Sequence, residues 1–291
     1  VSGALSLQVS SPALLLNHMA ERYVSTSRIL MEFIDNSLDD AESGYRPETT
    51  SYSQPVDIRV YVSRTKRSIR IVDNCRGMPP DVLSRVVMRV GESRKRGVSF
   101  VNGQFGFGMQ AFRAACSSLT VRSRHTTADV DGGTGTGVYQ IHIDRAQSDG
   151  FALEALNGEG LGGTAFDEEA TVAAAAAGAG VDIHGTGFLA TQTGTEVLLS
   201  GFDVQWVDGT FDAAPVAQEI ESHFERLLDR GNLKVTVTDA DTNHAIQCRP
   251  LDYASLYGGD LDGDVNGNGD GGGGDGGDGG DGGDGGDGGD G

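Results

Sequence analysis

The chain has 291 residues and a formal net charge of −20, long enough for one domain that buries most of its apolar surface without disulfide help. About half of that charge comes from ten Asp in Gly258–Gly291, so the body before them is only mildly acidic and nucleic acid is not indicated as a partner. Three widely separated cysteines, Cys75, Cys116 and Cys248, suggest neither a disulfide framework nor a CxxC metal site. No run of about 18 apolar residues offers a membrane span, and the opening residues lack the pattern of a secretion signal. The expectation is an intracellular protein, cytoplasmic or nuclear, and the first residue, Val1, is consistent with a fragment of a longer chain.

From Ser11 to Gly44 the chain reads as one or two helices, because Leu30, Ile34, Leu38 and Ala41 recur at spacings of three and four. Alternating Val56, Ile58, Val60 and Val62, a turn at Thr65–Arg67, and then Ile69 and Ile71 predict a hairpin that ends at Asp73. Pro79-Pro80 opens a helix carrying Val82, Leu83, Val86, Val87 and Val90. Gly91–Gly103 is a polar, basic loop, and Gly106–Ser118 begins in glycine and continues as a helix with Met109, Phe112 and Cys116 on one stripe. Strands are expected at Leu119–Arg124, Val138–Asp144, Thr195–Leu199 and Leu233–Thr238, with a helix at Val216–Arg230. Two weak stretches near 126–137 and 157–187 read as mobile insertions in a domain spanning 1–257. The Gly-Asp repeat of 258–291 has too little to bury and is expected to be disordered. Within it, Asp264–Asp275 imitates a calcium loop but lacks flanking helices.

Four short segments carry chemistry. In Glu32–Ala41, at about 100° per residue, Glu32, Asn36 and Asp39 share one helix face and the apolar residues the other. That face could simply be solvated, but an amide oxygen between carboxylates suits a hard cation such as magnesium. Asp73-Asn74-Cys75-Arg76-Gly77-Met78 places an acid at a strand end before a glycine turn, where sheets commonly build sites. In Gly103-Gln104-Phe105-Gly106-Phe107-Gly108-Met109 the glycines let backbone approach phosphate at a helix start, without the Gly-Lys-Ser/Thr ending of a Walker loop. Gly194-Thr195 leads into an apolar strand and by itself marks only a strand start.

In this order and at this spacing the four segments resemble the ATP-binding signature of the gyrase, heat-shock chaperone, histidine kinase and MutL (GHKL) superfamily, over roughly Ser11 to Thr238. The third segment is most similar to the ninety-kilodalton heat-shock chaperones, and the first to MORC and topoisomerase members. The resemblance implies the Bergerat fold, a two-layer α/β sandwich with helices on one face of a mixed, largely antiparallel sheet. It implies Glu32 as general base, Asn36 as magnesium ligand, and Asp73 as acceptor for the adenine amino group. Asp39, Gly77 and Met78 would line the base and sugar pocket, with Thr195 supporting Asp73 through an ordered water. The backbone of Gly103, Gln104, Phe105, Gly106, Phe107, Gly108 and Met109 would hold the phosphates. Ser93, Arg94, Lys95 and Arg96 take the position of the family's mobile lid, with Lys95 among the cations that would meet the nucleotide.

The activity so implied is ATP and ADP binding with Mg2+, and slow hydrolysis whose nucleotide state switches conformation or homodimerisation of a larger protein. A rival reading is a scaffold that holds ATP without turnover, since little chain follows Thr238 to supply a completing Lys or Arg. Phosphotransfer of the histidine-kinase type ranks lower, because His18 lacks the usual following acidic residue and enough chain ahead of it.

Overall fold

The computed structural model describes residues 11–88, 108–125, 127–128, 134–135, 138–147, 151–156 and 193–250. The chain divides into Val1–Leu251 and Asp252–Gly291, and the second unit, with the Gly-Asp repeat and its calcium-like spacing, lies outside the described residues.

Pro12 preorganises the first turn of α1 (Pro12–Ala20), whose Leu16 and Ala20 are buried. Ser25 caps α2 (Thr26–Ala41), accepting a hydrogen bond from Arg28 N at 3.3 Å. With no Gly or Pro in its interior, α2 runs sixteen residues and buries Ile29, Leu30, Phe33, Ile34 and Leu38. The chain then forms β1 (Tyr45–Arg46), β2 (Ser51–Ser63), β3 (Ser68–Asp73) and α3 (Pro80–Met88). A short 3₁₀ helix (Gly108–Ala114) leads into β4 (Cys116–Arg124). The small pair β5 (Thr127–Ala128) and β6 (Thr134–Gly135) stands apart, and β7 (Val138–Asp144), β8 (Leu153–Leu156) and β9 (Gly194–Phe202) follow. The last elements are α4 (Ala213–His223), α5 (Glu225–Leu228), β10 (Gly231–Asp239) and β11 (His244–Gln247).

Among the described residues the main sheet has nine strands in the order β11-β10-β2-β3-β9-β4-β7-β8, with β1 added to β2. The β10–β2 pair is parallel and the others are antiparallel. The fold is therefore α/β, with the mixed, largely antiparallel sheet of the Bergerat type. Register explains where the core sits. Val237, Val60, Ile71, Val197, Val121 and Ile141 line up across six strands. All six belong to the buried cluster that also contains Leu30, Ile34 and Leu38 of α2 and Val216 and Ile220 of α4. Two residues further along each strand the next cross-sheet row reads Val235, Ile58, Asp73, Thr195, Ser123 and Tyr139. An apolar ladder has become polar in its middle, on the face that α2 covers.

Three expectations need correction. The helix expected over Gly106–Ser118 is a 3₁₀ helix that ends at Ala114, because Cys116 and Ser118 already pair with Phe202 and Ser200 of β9. A buried Phe112 and Cys116 satisfy helical spacing equally well from either side of a turn. The helix expected over Val216–Arg230 starts at Ala213, capped by Asp212, and breaks at Phe224, whose ring turns into the core. Strands β1, β5, β6, β8 and β11 were not expected, β5 and β6 lying in the stretch 126–137 read as a mobile insertion; β11 follows a turn in which Asp239 Oδ1 accepts from Asp241 N and Thr242 N at 2.8 and 3.1 Å. Among the described residues no helix is long and apolar enough to cross a membrane.

Candidate functional site

The middle of the polar row is one hydrogen-bonded assembly. Asp73 is 4% exposed. Its Oδ2 accepts from Ser37 Oγ of α2 at 2.6 Å, and its Oδ1 accepts from the N–H groups of Cys75 and Thr195 at 3.0 and 3.1 Å. A carboxylate offers about four acceptor directions, so these three bonds aim it while leaving capacity for one further donor. Burial raises its pKa above the ordinary carboxylate value, and the donors from Ser37, Cys75 and Thr195 oppose that rise.

The turn after Asp73 is held by its own sequence. Asn74 Oδ1 accepts from Asp57 N at 2.8 Å and its amide donates to Pro55 O at 2.9 Å, tying the turn to β2. Arg76 is fixed to Asp40 of α2 through its backbone N–H and its guanidinium. At Gly77, φ is +73°, and a Cβ there would stand 2.1 Å from Arg124 O and 2.9 Å from Gly194 O, so no other residue fits. The next N–H, of Met78, donates to Ser123 Oγ at 2.7 Å. Ser123 is fully buried, and its hydroxyl lies 3.0 Å from both Gly194 O and Thr195 Oγ1. Ser123 thus staples the second chemical segment to the fourth. Thr195 reaches Asp73 directly through its backbone N–H, where the resemblance implied its support through a water.

The other end of the site lies about one and a half helical turns along α2, roughly 7.5 Å for the five residues from Ser37 back to Glu32. Glu32 and Asp39 are half-buried and Asn36 is exposed, on one face of α2. Glu32 Oε1 accepts from the phenol of Tyr23 at 3.0 Å. Gly108, at the start of the 3₁₀ helix, approaches so closely that a Cβ there would stand 2.5 Å from Glu32 Oε2. Met109 is 8% exposed and packs in the core, so its side chain contributes to folding. Lys95, its neighbours 93–96, and Gly103, Gln104, Phe105, Gly106 and Phe107 lie outside the described residues.

The structure thus gathers Glu32, Asn36, Asp39, Asp73, Gly77, Met78, Gly108 and Thr195 around one helix and the adjoining ends of two central strands. Residues 24–150 match the family model described as histidine kinase-, DNA gyrase B-, and HSP90-like ATPase. The match supports the GHKL superfamily and, with it, ATP binding. No curated protein matches the chain. The matched span contains Glu32, Asp73 and Gly108 but stops short of Gly194-Thr195, which the sheet register alone brings to Asp73.

Ser37, Ser123 and Tyr23 escaped the sequence reading. For two of them a signal existed. Ser123 stands where the alternation Leu119, Val121 calls for an apolar residue, and Ser37 stands three residues from Ile34 and four from Ala41 on the buried stripe of α2. A polar residue at a core position is the mark of a built site. Cys75 is half-buried, donates to Ser37 O at 3.4 Å, and packs against the core. Burial and the nearby Asp73 push its thiol well above the usual range, so it is a poor nucleophile.

Proposed function

We propose that the body of the chain is an ATP-binding module that hydrolyses ATP slowly with magnesium, and whose nucleotide state switches the conformation or dimerisation of a larger protein. The observation that carries this reading is the placement of two unlike carboxylates on one scaffold. Asp73 is buried, fed by three donors, and able to take one more; Glu32 is half-buried, with one carboxylate oxygen close against Gly108.

In this reading the adenine amino group donates to Asp73, and Asp39, Gly77 and Met78 flank the base and sugar. The triphosphate extends toward Asn36, Glu32 and Gly108. Glu32 takes a proton from the water that attacks the γ-phosphorus, the bond to the ADP oxygen breaks, and ADP and phosphate leave. Magnesium, when bound with the nucleotide, supplies neutralisation of the phosphate charge. Among the described residues no cluster of three His, Cys, Asp or Glu forms a dedicated metal cage. Magnesium in nucleotide sites usually binds through phosphates, waters and one or two side chains, and the exposed amide of Asn36 fits that need.

Titration calorimetry beside a steady-state phosphate-release assay on the purified chain tests the proposal. ATP and ADP should bind the parent and Glu32→Ala alike, while Glu32→Ala lowers turnover by about 10²–10⁴. Tight ATP binding with no phosphate release by the parent would favour the scaffold reading instead. Absence of nucleotide binding would refute both.

A further inference from the structure

The two oxygens of Glu32 have different surroundings. Oε1 accepts the Tyr23 phenol at 3.0 Å, and Oε2 is the oxygen that lies against Gly108. Tyr23 is itself held in place. It follows the end of α1, its N–H donates to Ala20 O at 2.9 Å, and its ring packs both on Leu16 and Ala20 of α1 and on the main core. The same α1 cluster touches Ala114 of the 3₁₀ helix that Gly108 begins. The phenol, the carboxylate and the glycine are therefore fixed relative to one another by α1, α2 and the 3₁₀ helix.

The chemistry of the pair makes the direction of the bond unambiguous. Burial raises the phenol well above its ordinary range, and the charge of Glu32 and the bond to it add to the rise. Tyr23 thus stays protonated across neutral pH, a permanent donor that orients the carboxylate without taking its proton. Arg28 and Arg22 also bear on the phenol, both through space. His18 and Glu21, at the end of α1, pair with each other at the surface at 3.1 Å. On the side of the 3₁₀ helix the backbone of Gly108, which does not titrate, lies against Glu32.

We propose that Tyr23 is a positioning residue for the hydrolysis assigned above to Glu32: its phenol anchors Oε1 and sets the plane of the carboxylate, presenting Oε2 to the water it deprotonates. The inference rests on that reading of Glu32, but the anchoring is measurable without turnover. A donor to a carboxylate stabilises its charged form, so removing the donor makes the group easier to protonate. A carboxylate free to rotate also spends less time in the productive geometry.

Tyr23→Phe removes the hydroxyl and keeps the ring that packs on α1. The titration of Glu32 is followed through its ¹³C-labelled side-chain carboxyl by NMR, with Glu32→Gln providing the assignment. The expected result is a midpoint raised by roughly half a unit or more in Tyr23→Phe. In phosphate-release assays kcat should fall about tenfold with KM held within about twofold, and the acidic limb of the kcat profile should move up with the midpoint. An unchanged midpoint overturns the proposal, including when the melting temperature drops, because a merely structural Tyr23 would lower stability and leave the titration alone. A parent that binds ATP without releasing phosphate removes the hydrolysis reading and with it the positioning role, while a shifted midpoint in the same samples still shows that Tyr23 holds Glu32. A shifted midpoint with unchanged kcat in an active parent overturns the positioning role alone.

Discussion

Gly108 leaves Glu32 just enough room: a side chain begun at position 108 would meet Oε2 at 2.5 Å. The atom in the way is the far end of a flexible side chain, so Gly108→Ala should push the carboxylate aside and leave the backbone where it is. Folding stability should change by less than about 1 kcal/mol. Hydrolysis should fall by roughly 10–100-fold, since small misplacements of a catalytic group cost that much. Urea unfolding and phosphate release on the same preparation test both halves. Turnover at the parent's rate would mean that the position of Oε2 does not matter.

The same substitution at Gly77 should end differently. There the added Cβ meets backbone, Arg124 O at 2.1 Å and Gly194 O at 2.9 Å, and φ of +73° is itself unfavourable for alanine. Neither carbonyl can yield without shifting β4 or β9. Gly77→Ala should cost more than about 3 kcal/mol. A urea midpoint within a few tenths molar of the parent would show that the turn relaxes, and would weaken the account of why glycine stands there.

Asp73→Ala tests the base end. It removes the acceptor proposed for the adenine amino group, which is worth about 1–3 kcal/mol of binding, or roughly 5–150-fold in affinity. It also leaves Ser37 Oγ and the Thr195 and Cys75 N–H groups without the carboxylate that now satisfies them, so stability should fall as well. Calorimetry at a temperature where the variant is folded separates the two effects. Undiminished ATP affinity would place the base elsewhere.

What the sequence disclosed, and what it withheld, follows from range. The apolar stripe of α2 and the alternation in β2 and β3 are local patterns, and the structure has all three elements where the spacing put them. Glu32, Asp73 and Gly108 could be singled out because each lies in a short segment of unusual composition. The Asp73–Thr195–Ser123 row was not legible, because it joins β3, β9 and β4 across separations of up to 122 residues and depends on register. Tyr23 was hidden for the opposite reason: its contact with Glu32 is near in sequence but crosses the break between two helices, where no periodicity applies.

Stability should depend on pH through Asp73. Its carboxyl is raised above the ordinary value of 3.8, burial being the largest cause. A group with a raised folded-state value binds its proton more tightly when folded, so its contribution is full below the unfolded value and is lost as pH rises through the folded one. The unfolding free energy of the parent relative to Asp73→Asn should therefore decrease as pH rises from about 3.8 upward. Ser37→Ala withdraws one of the donors that hold the value down, so in that background the loss should extend to higher pH. Urea midpoints of the parent, Asp73→Asn, Ser37→Ala and the double variant across this range would decide it, and a parent that gains on Asp73→Asn with rising pH would reverse the assigned direction.

The final prediction concerns Glu196, the neighbour of Thr195 that points to the opposite side of β9. Glu196 is 1% exposed and accepts from Arg70 Nη2 at 2.8 Å and Arg122 Nη1 at 2.9 Å. Arg122 is further tied to Gln140 at 2.6 Å, and Arg70 lies over the ring of Tyr61. Glu196→Ala takes the negative charge from between two guanidinium groups that are themselves largely buried, and removing one member of such a group costs about 3–5 kcal/mol. Replacing Arg70 and Glu196 together by Met should recover part of that loss, because the excess charge leaves with the carboxylate and apolar volume replaces it. ATP affinity of folded Glu196→Gln should stay within a few-fold of the parent, since successive strand residues face opposite sides of the sheet and the site lies on the other. Urea unfolding of the single and double variants, with a nucleotide titration of Glu196→Gln, tests all three statements. A Glu196→Ala protein as stable as the parent would mean that solvent reaches these guanidinium groups, and that the face opposite the helices contributes little to holding β3, β9 and β4 in the register that builds the site.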